Sequence, residues 1–324
     1  MNLGLTRHSL PTLEPRQTRL PLNLLVKPGF RAAKITNMGL PLSRIAFHGR
    51  TLGALSVTPK KAYQEAFEPL LPGITVLPFN ASKSEIHRKV NANTCGVIVE
   101  PIQGEGGVHV ADKDFLRHLR ERCDETGALL IFDEIQCGLG RTGRLWAHQH
   151  FSPDCAPDIL TMAKPLGNGV PIGAALVNKR VADALKVGDH GTTFGGNPLA
   201  CKVGLIAFDR LNDPALLSHV NEVSNYIVSE LHKFSHPTIS EIRGMGLILG
   251  IQFDSKLMEA SRVCEEALKR NMLVITAGIN TIRIVPSLVL TMDQAHQAVD
   301  ILKASIIAAS ANKVEDTSKL AALR

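Results

Sequence analysis

From residue 86 onward, short apolar runs alternate along the chain with stretches of helical periodicity. Four short, mostly apolar runs are typical of strands buried on both faces, and they cover residues 95–99, 128–132, 158–163 and 172–177. Residues 112–126 carry apolar side chains at helical spacing among charged ones and predict an amphipathic helix. Strands that alternate with helices predict an α/β fold with a mostly parallel sheet.

After Cys201 the pattern changes to that of a smaller α+β domain. Its predicted elements are a long helix, a glycine-punctuated strand pair, a helix, a strand and a closing amphipathic helix, at residues 199–232, 240–253, 256–270, 281–290 and 293–310. We therefore divide the chain into an irregular leader, a large domain, a small C-terminal domain and a frayed tail, at residues 1–40, 41–205, 206–310 and 311–324.

The net charge of +6 is unevenly distributed. Residues 1–64 hold ten Lys/Arg and one acid, a net charge of +9, which leaves −3 for the remainder. Aromatic residues, which stack on bases in nucleic-acid binders, are only 4% of the chain, so we expect no nucleic-acid partner. No apolar run reaches the roughly 18 residues that a bilayer requires, and we expect no membrane span.

The six cysteines are scattered, without a C-x-x-C pair or a nearby histidine at zinc-site spacing. This pattern predicts reduced, mostly buried thiols, an intracellular compartment and no metal site. The start of the chain bears arginines and almost no acids, which is typical of organellar transit peptides, although an unstructured leader fits as well. We expect a location in the mitochondrial matrix or the cytoplasm.

Three chemically useful side chains follow predicted strands: Glu100, Asp133 and Lys164. In open α/β sheets, functional groups gather beyond the carboxyl ends of the strands, so these residues can converge. A lysine and a carboxylate in one pocket suit pyridoxal-phosphate chemistry, because the amine condenses with the cofactor aldehyde and later moves a proton. The carboxylate keeps the pyridine nitrogen protonated. A surface lysine and a capping aspartate are the ordinary alternative for such a pair.

Six segments resemble the class III, fold-type I aminotransferases, and the acetylornithine aminotransferase branch is the most similar. In order, they are AFHGRTLGALSVTP (46–59), VIVEPIQGEGGV (97–108), LLIFDEIQCGLGRTG (129–143), TMAKPLGNGVPIGA (161–174), HGTTFGGNPLAC (190–201) and IRGMGLILGI (242–251). The resemblance runs from about residue 44 to about residue 308. It implies a large cofactor domain and a smaller C-terminal domain.

The resemblance implies pyridoxal 5'-phosphate as the cofactor, with Lys164 as the lysine that bonds to it and Asp133 as the partner of the pyridine nitrogen. It also implies cofactor contacts that cover the two ring faces, the phenolic oxygen and the phosphate, from Phe47, Glu134, Ile135, Gln136 and Thr193. Phe47 and Ile135 are assigned to opposite ring faces and Gln136 to the phenolic oxygen. Thr193 is expected to reach the phosphate across a subunit boundary. A core phenylalanine and an ordinary turn hydroxyl are the alternatives for Phe47 and Thr193.

Four further residues are implied in substrate binding. Arg50 is expected to bind the substrate carboxylate, since the planar guanidinium meets a carboxylate in two parallel hydrogen bonds. Thr192 is expected near the substrate. Arg283 matches the position that binds the carboxylate of 2-oxoglutarate or glutamate, and Glu105 matches the carboxylate that pairs with this arginine when the other donor is bound. A solvated surface arginine is the alternative for Arg50.

The implied reaction moves the terminal amino group of N-acetylornithine, or a related ω-amino acid, to 2-oxoglutarate in a homodimer. One feature favours a second hypothesis. Residues 1–43 contain no Ser-Gly-Thr-Glu-type turn, whose amides hold the cofactor phosphate in the family. The alternative is therefore an N-terminally truncated, inactive aminotransferase paralogue or fragment.

A literal G-x-G-x-x-G at Gly138, Gly140 and Gly143 also follows a predicted strand. A dinucleotide site would require a helix that opens at these glycines and an acid that ends the next strand. Asp158 precedes its strand instead, so the sequence does not favour a nicotinamide enzyme. The adjacent Asp133 and Glu134 do not form a catalytic carboxylate pair, because neighbours on a strand point to opposite faces.

Overall fold

The computed structural model describes the backbone of residues 9–12, 34–38 and 46–322, with side chains over 46–311. The strands β1 to β13 are Ser9–Thr12, Lys34–Met38, Ile74–Leu77, Thr94–Val99, Ile102–Gln103, His109–Val110, Leu129–Asp133, Ile159–Met162, Gly173–Val177, Ile239–Met245, Ile248–Phe253, Ile275–Ala277 and Thr281–Ile284. The helices α1 to α9 are Leu52–Ser56, Lys61–Gln64, Lys83–Lys89, Lys113–Thr126, Lys179–Ala184, Pro198–Leu211, Pro214–Phe234, Ala260–Leu268 and Met292–Ala322. Short 3₁₀ turns lie at Glu65–Phe67, Ala147–His150 and Lys164–Leu166.

The chain divides into two compact units. The first comprises residues 1–103, 111–140 and 144–213, and the second residues 104–110, 141–143 and 214–324. The main division falls at 213/214, close to the predicted 205/206. The two short segments of the second unit were not predicted, because their contacts are with residues more than a hundred positions away.

A seven-stranded sheet forms the centre of the first unit, in the order β1-β9-β8-β7-β4-β2-β3. The strands β8, β7, β4, β2 and β3 pair in parallel, whereas β9 and β1 are antiparallel to their neighbours. The sequence prediction of a mostly parallel sheet is confirmed. The central strands β4, β7 and β8 are fully buried, as their mostly apolar sequences predict.

Two strands of this sheet lie in the predicted leader, which therefore is not irregular throughout. The strand β2 pairs with β3 and β4, and β1 pairs with β9. Their sequences lack a strong periodic signal, so pairing with neighbouring strands determines the conformation instead of local preference. The rest of the leader, including the expected transit peptide and the expected absence of a phosphate-binding turn, lies outside the described residues.

The second unit contains an antiparallel sheet in the order β10-β11-β13-β12, packed with α7, α8 and α9. The end of β10 requires glycine, because Gly244, the last residue but one of this strand, has a φ of +122° and a β-carbon there would lie 2.1 Å from the Ile248 carbonyl oxygen. The helix α9 continues to Ala322, so the predicted frayed tail is helical as far as that residue.

Two predicted elements differ from the structure for the same reason, which is proline. The predicted helix 199–232 is two helices, since Pro214 begins α7 after α6 has ended at Leu211. The predicted strand 281–290 ends at Ile284, two residues before Pro286.

All six cysteines are free thiols, as predicted, and four of them are buried: Cys95, Cys123, Cys137 and Cys155. Burial raises the pKa of the Cys123 thiol to about 12, so this thiol stays protonated and unreactive at neutral pH. Within the described part of the chain, no helix combines the length and the apolar character needed to cross a bilayer.

Candidate active site

Three adjacent parallel strands of the first unit are followed by, or end in, a polar residue. Asp133 is the last residue of β7 and pairs with Thr161 on β8, three positions before Lys164. On the other side of β7, Phe132 pairs with Val99, which directly precedes Glu100. Neighbouring strands are about 4.8 Å apart, so the structure brings these three residues to one edge of the sheet.

The buried Asp133 carboxylate is held by three hydrogen-bond donors. Its Oδ2 lies 2.8 Å from His48 Nδ1. Its Oδ1 accepts from Thr161 Oγ1 at 3.1 Å and from the Ile135 amide at 3.2 Å. Because an ionised carboxylate only accepts, the shared proton is assigned to His48 Nδ1, which donates. The sequence analysis missed His48, although it directly follows Phe47 in the FHGRT segment.

Glu100 and Thr58 fix the short segment that carries Phe47 and His48. The Phe47 amide donates to Glu100 Oε2 at 3.0 Å, and the His48 amide donates to Thr58 Oγ1 at 2.9 Å. The Thr58 hydroxyl donates in turn to the Ala54 carbonyl of α1 at 2.9 Å. Glu100, which directly follows β4, therefore anchors the segment that carries Phe47 and His48 beside the carboxyl ends of the strands.

Phe47 and Arg50 form an aromatic cluster with Tyr63. The Phe47 and Tyr63 rings meet edge to face, with 6.3 Å between their centroids. The Arg50 Cζ lies 3.6 Å from the centroid of the Tyr63 ring. Stacking occupies the face of a guanidinium and leaves its N–H donors in the plane, so the exposed Arg50 retains the geometry for binding a carboxylate.

The Glu134 side chain points away from Asp133 and organises a turn. Its carboxylate accepts from the Ala147 amide at 2.6 Å, the His148 amide at 3.0 Å and His148 Nδ1 at 2.6 Å. Only 1% of Glu134 is exposed. Adjacent residues of an extended chain alternate in direction, which explains the opposite orientations. The cofactor contact that the resemblance implies for Glu134 stays a prediction.

The glycines of the literal G-x-G-x-x-G lie in consecutive turns between β7 and the 3₁₀ turn Ala147–His150. No helix opens at residues 138–143. These glycines therefore do not form the strand–helix junction that a dinucleotide pyrophosphate requires.

Lys164 begins the 3₁₀ turn that follows β8, with a backbone φ of +31° that side-chain-bearing residues rarely adopt. Such conformations occur often at functional sites, where the surrounding structure enforces them. Ile135 and Gln136 follow Asp133 and are half-buried, whereas Thr193 is exposed. The Thr192 hydroxyl is buried, without a hydrogen-bond partner among the described residues.

Glu105 and Arg283 are both in the second unit and form an ion pair, as the sequence analysis expects. Arg283 Nη1 lies 3.1 Å from Glu105 Oε1. The arginine side chain is 10% exposed and the glutamate side chain 38%. The Glu105 carbonyl also accepts from the Gly278 amide at 3.0 Å, which holds the backbone of this segment against the connection between β12 and β13.

Comparison with known proteins places these features in a family. The model of the family described as aminotransferase class-III matches residues 42–306. The mitochondrial acetylornithine aminotransferase of Yarrowia lipolytica is 52% identical over 81% of this chain, and that of Alnus glutinosa is 47% identical over 79%. The chain spans 62% and 56% of the lengths of these two relatives.

The fold agrees with these sequence matches. The solved ornithine aminotransferase of Toxoplasma gondii, which was crystallised with partial occupancy of PLP, superposes with a TM-score of 0.85 at 31% identity. The superposition covers 95% of this chain and 74% of the other. The predicted α/β, fold-type I architecture is confirmed, and the chain belongs to the class-III aminotransferase family.

Proposed function

We propose that the protein is a pyridoxal-phosphate-dependent aminotransferase that moves the terminal amino group of N-acetylornithine, or a related ω-amino acid, to 2-oxoglutarate. The observation that carries the proposal is the placement of Asp133 and Lys164 at the carboxyl ends of neighbouring strands, in a chain of this family. The names of the similar relatives support acetylornithine as the donor.

The residues at the sheet edge fit this cofactor. Asp133 is 3% exposed and held by three donors, so a buried anion is ready to pair with a protonated pyridine nitrogen. The buried Thr192 hydroxyl, which has no hydrogen-bond partner in the described part of the chain, provides a hydrogen-bonding group for a ligand. Phe47, Ile135 and Gln136 are assigned to the cofactor ring, and Thr193 to the phosphate. Glu134 is assigned to the cofactor site by the resemblance, and its carboxylate also holds the turn at Ala147–His150.

When bound, pyridoxal phosphate supplies an aldehyde for covalent attachment and a ring that accepts electron density. Lys164 provides the attaching amine, and the same amine takes the proton from the substrate carbon that bears the amino group. Asp133 stabilises the positive charge on the pyridine nitrogen. His48 donates to Asp133 and fixes the orientation of the carboxylate.

Two arginines are assigned to the substrate carboxylates. Arg50, stacked on Tyr63, binds the carboxylate of the amino donor. Arg283 binds the distal carboxylate of 2-oxoglutarate or glutamate, and Glu105 neutralises this arginine when the donor lacks that carboxylate. The observed 3.1 Å ion pair supports the second role.

We also propose a homodimer located in the mitochondrial matrix or the cytoplasm. Phe194 and Leu199 flank the beginning of α6 and are 69% and 73% exposed, so this apolar stretch suits a second copy of the chain. Thr193 lies in the same stretch and is assigned to the cofactor phosphate of the partner. The mitochondrial relatives support the first of the two locations.

The test is reconstitution of the purified chain with pyridoxal phosphate. We expect a visible absorption band, borohydride trapping of the cofactor on the Lys164 peptide, and a spectral change with acetylornithine, ornithine or glutamate. Lys164→Ala should abolish trapping, and Asp133→Asn should weaken the band at unchanged fold, measured by circular dichroism. A wild-type chain that stays colourless with added cofactor would favour the inactive paralogue.

A further inference from the structure

Two arginines of the second unit share one face of its sheet and are separated by a glycine. On neighbouring strands, Arg243 pairs with Gly250, and Gly250 pairs with Arg283. Directly opposed residues place their side chains on the same face, so the two arginine side chains flank an open position. The open position exists because Gly250 has no side chain.

The backbone of residues 105–108 fills this position. A β-carbon on Gly250 would lie 3.2 Å from the Gly107 carbonyl oxygen and 3.0 Å from Val108 Cβ. The segment therefore packs directly against the sheet at Gly250, where a larger residue would leave it too little room. Glu105, at the start of the segment, reaches Arg283 on one side. On the other side, Arg243 Nε donates to the Gly107 carbonyl at 2.8 Å.

Arg243 is itself rigidly held. Its Nη2 donates to Gln252 Oε1 and to Thr281 Oγ1, both at 3.0 Å, and the Thr281 hydroxyl donates to Gln252 Oε1 at 2.7 Å. The Arg243 side chain is 9% exposed, whereas its ion-pair partner Glu241 is 57% exposed. A planar, fixed guanidinium is suited to hold a backbone carbonyl in one place.

We propose that Arg243 is a positioning residue that fixes the Gly107 carbonyl and thereby holds Glu105 against Arg283. The selectivity between donors with and without a distal carboxylate then depends on a residue that touches neither substrate. This inference rests on the proposed role of Arg283. When Arg243 is removed, the segment 105–108 loosens, Glu105 neutralises Arg283 less well, and a dicarboxylate gains access to the arginine.

The experiment compares the wild-type chain with Arg243→Gln, Glu105→Gln and the double variant, all purified with pyridoxal phosphate. Glu241→Gln is the matched control, because it removes the exposed ion pair of Arg243 and keeps the bond to Gly107. The first readout is hydrogen exchange of the amides of residues 105–109. The second is the dissociation constant for glutarate, a dicarboxylate without an amino or keto group.

We expect faster exchange of the segment in Arg243→Gln and in the double variant, and wild-type exchange in the Glu241→Gln control. We expect glutarate to bind about tenfold more tightly to Glu105→Gln and about threefold more tightly to Arg243→Gln. The double variant should bind like Glu105→Gln alone, since the two residues act through one ion pair.

Unchanged exchange in Arg243→Gln would overturn the positioning role, and so would additive effects on glutarate in the double variant. A wild-type chain and a Glu105→Gln variant that both fail to bind glutarate would contradict the proposed role of Arg283. The exchange measurement would still decide whether Arg243 orders the segment. The two failures are therefore distinguishable.

Discussion

His48 and Asp133, 85 positions apart in sequence, meet in a buried hydrogen bond of 2.8 Å between Nδ1 and Oδ2. The histidine side chain is completely buried. The bond connects the FHGRT segment to the end of the central strand β7. The orientation of Asp133, the proposed partner of the cofactor nitrogen, therefore depends on His48, which precedes the whole of β7 in the chain.

Replacing His48 by alanine is expected to destabilise the fold by about 2–4 kcal/mol, because it removes a donor from a buried carboxylate and leaves a cavity. The free energy of unfolding in urea measures this effect. His232→Gln, at an exposed histidine, is the control and should change the stability by less than about 0.5 kcal/mol. Equal midpoints for His48→Ala and the wild type would show that the bond does not stabilise the protein.

Glu134→Gln tests whether this residue serves the turn at Ala147–His150. In the wild type, three N–H donors meet the two carboxylate oxygens of Glu134. The substitution replaces one oxygen by an N–H₂ group that cannot accept, which should cost about 2–4 kcal/mol. Urea unfolding monitored by the fluorescence of the single tryptophan, the buried Trp146, reports on this region. Glu125→Gln removes an exposed ion pair with Arg122 and should leave the free energy of unfolding close to that of the wild type. Similar losses in both variants would contradict the assignment.

Gly244→Ala is expected to destabilise the β10–β11 hairpin by more than about 2 kcal/mol, since the β-carbon would lie 2.1 Å from a backbone oxygen at a φ of +122°. Gly188→Ala is an informative control. Gly188 has a φ of +93°, and a β-carbon there meets nothing within 4 Å, so it reports the cost of the backbone conformation alone, about 1 kcal/mol. Thermal unfolding compares the two. Equal losses would mean that the hairpin relaxes around the added methyl group.

The strand that ends at Asp133 and the strand that precedes Lys164 were predictable, because a parallel strand buried on both faces produces a short, mostly apolar run. The role of His48 was not, since a histidine beside a glycine gives no periodic signal and its partner lies on another element. The leader strands were missed for a related reason. Their conformation comes from pairing with β3, β4 and β9, and this long-range pairing is invisible in a local pattern.

The Glu105–Arg283 pair was predicted from the resemblance, whereas the Arg243 network was not. Arginine in the IRGMGL segment has no distinctive spacing relative to Gly107, 136 positions earlier. Only the register of β10, β11 and β13 shows that Arg243, Gly250 and Arg283 form one row. Sequence patterns identify residues on single elements, and register determines which of them meet.

His109 gives the protein a pH-dependent stability. Burial lowers the pKa of His109 from 6.5 to about 4, assisted by the positive charge of Arg243 and partly opposed by Glu241. Between these two values the unfolded chain binds a proton at His109 that the folded chain does not, so folding stability rises with pH and is lost as the pH falls from 6.5 towards 4.

On lowering the pH from 7.5 to 5, we expect this residue to account for about 1 kcal/mol of lost stability, after allowance for solvent screening of a partly exposed side chain. His109→Gln should remove that part of the loss, because glutamine does not titrate. Urea unfolding at both pH values, with His232→Gln as the control, measures the difference. If His109→Gln and the wild type lose the same free energy over this interval, a different group is responsible for the acid sensitivity.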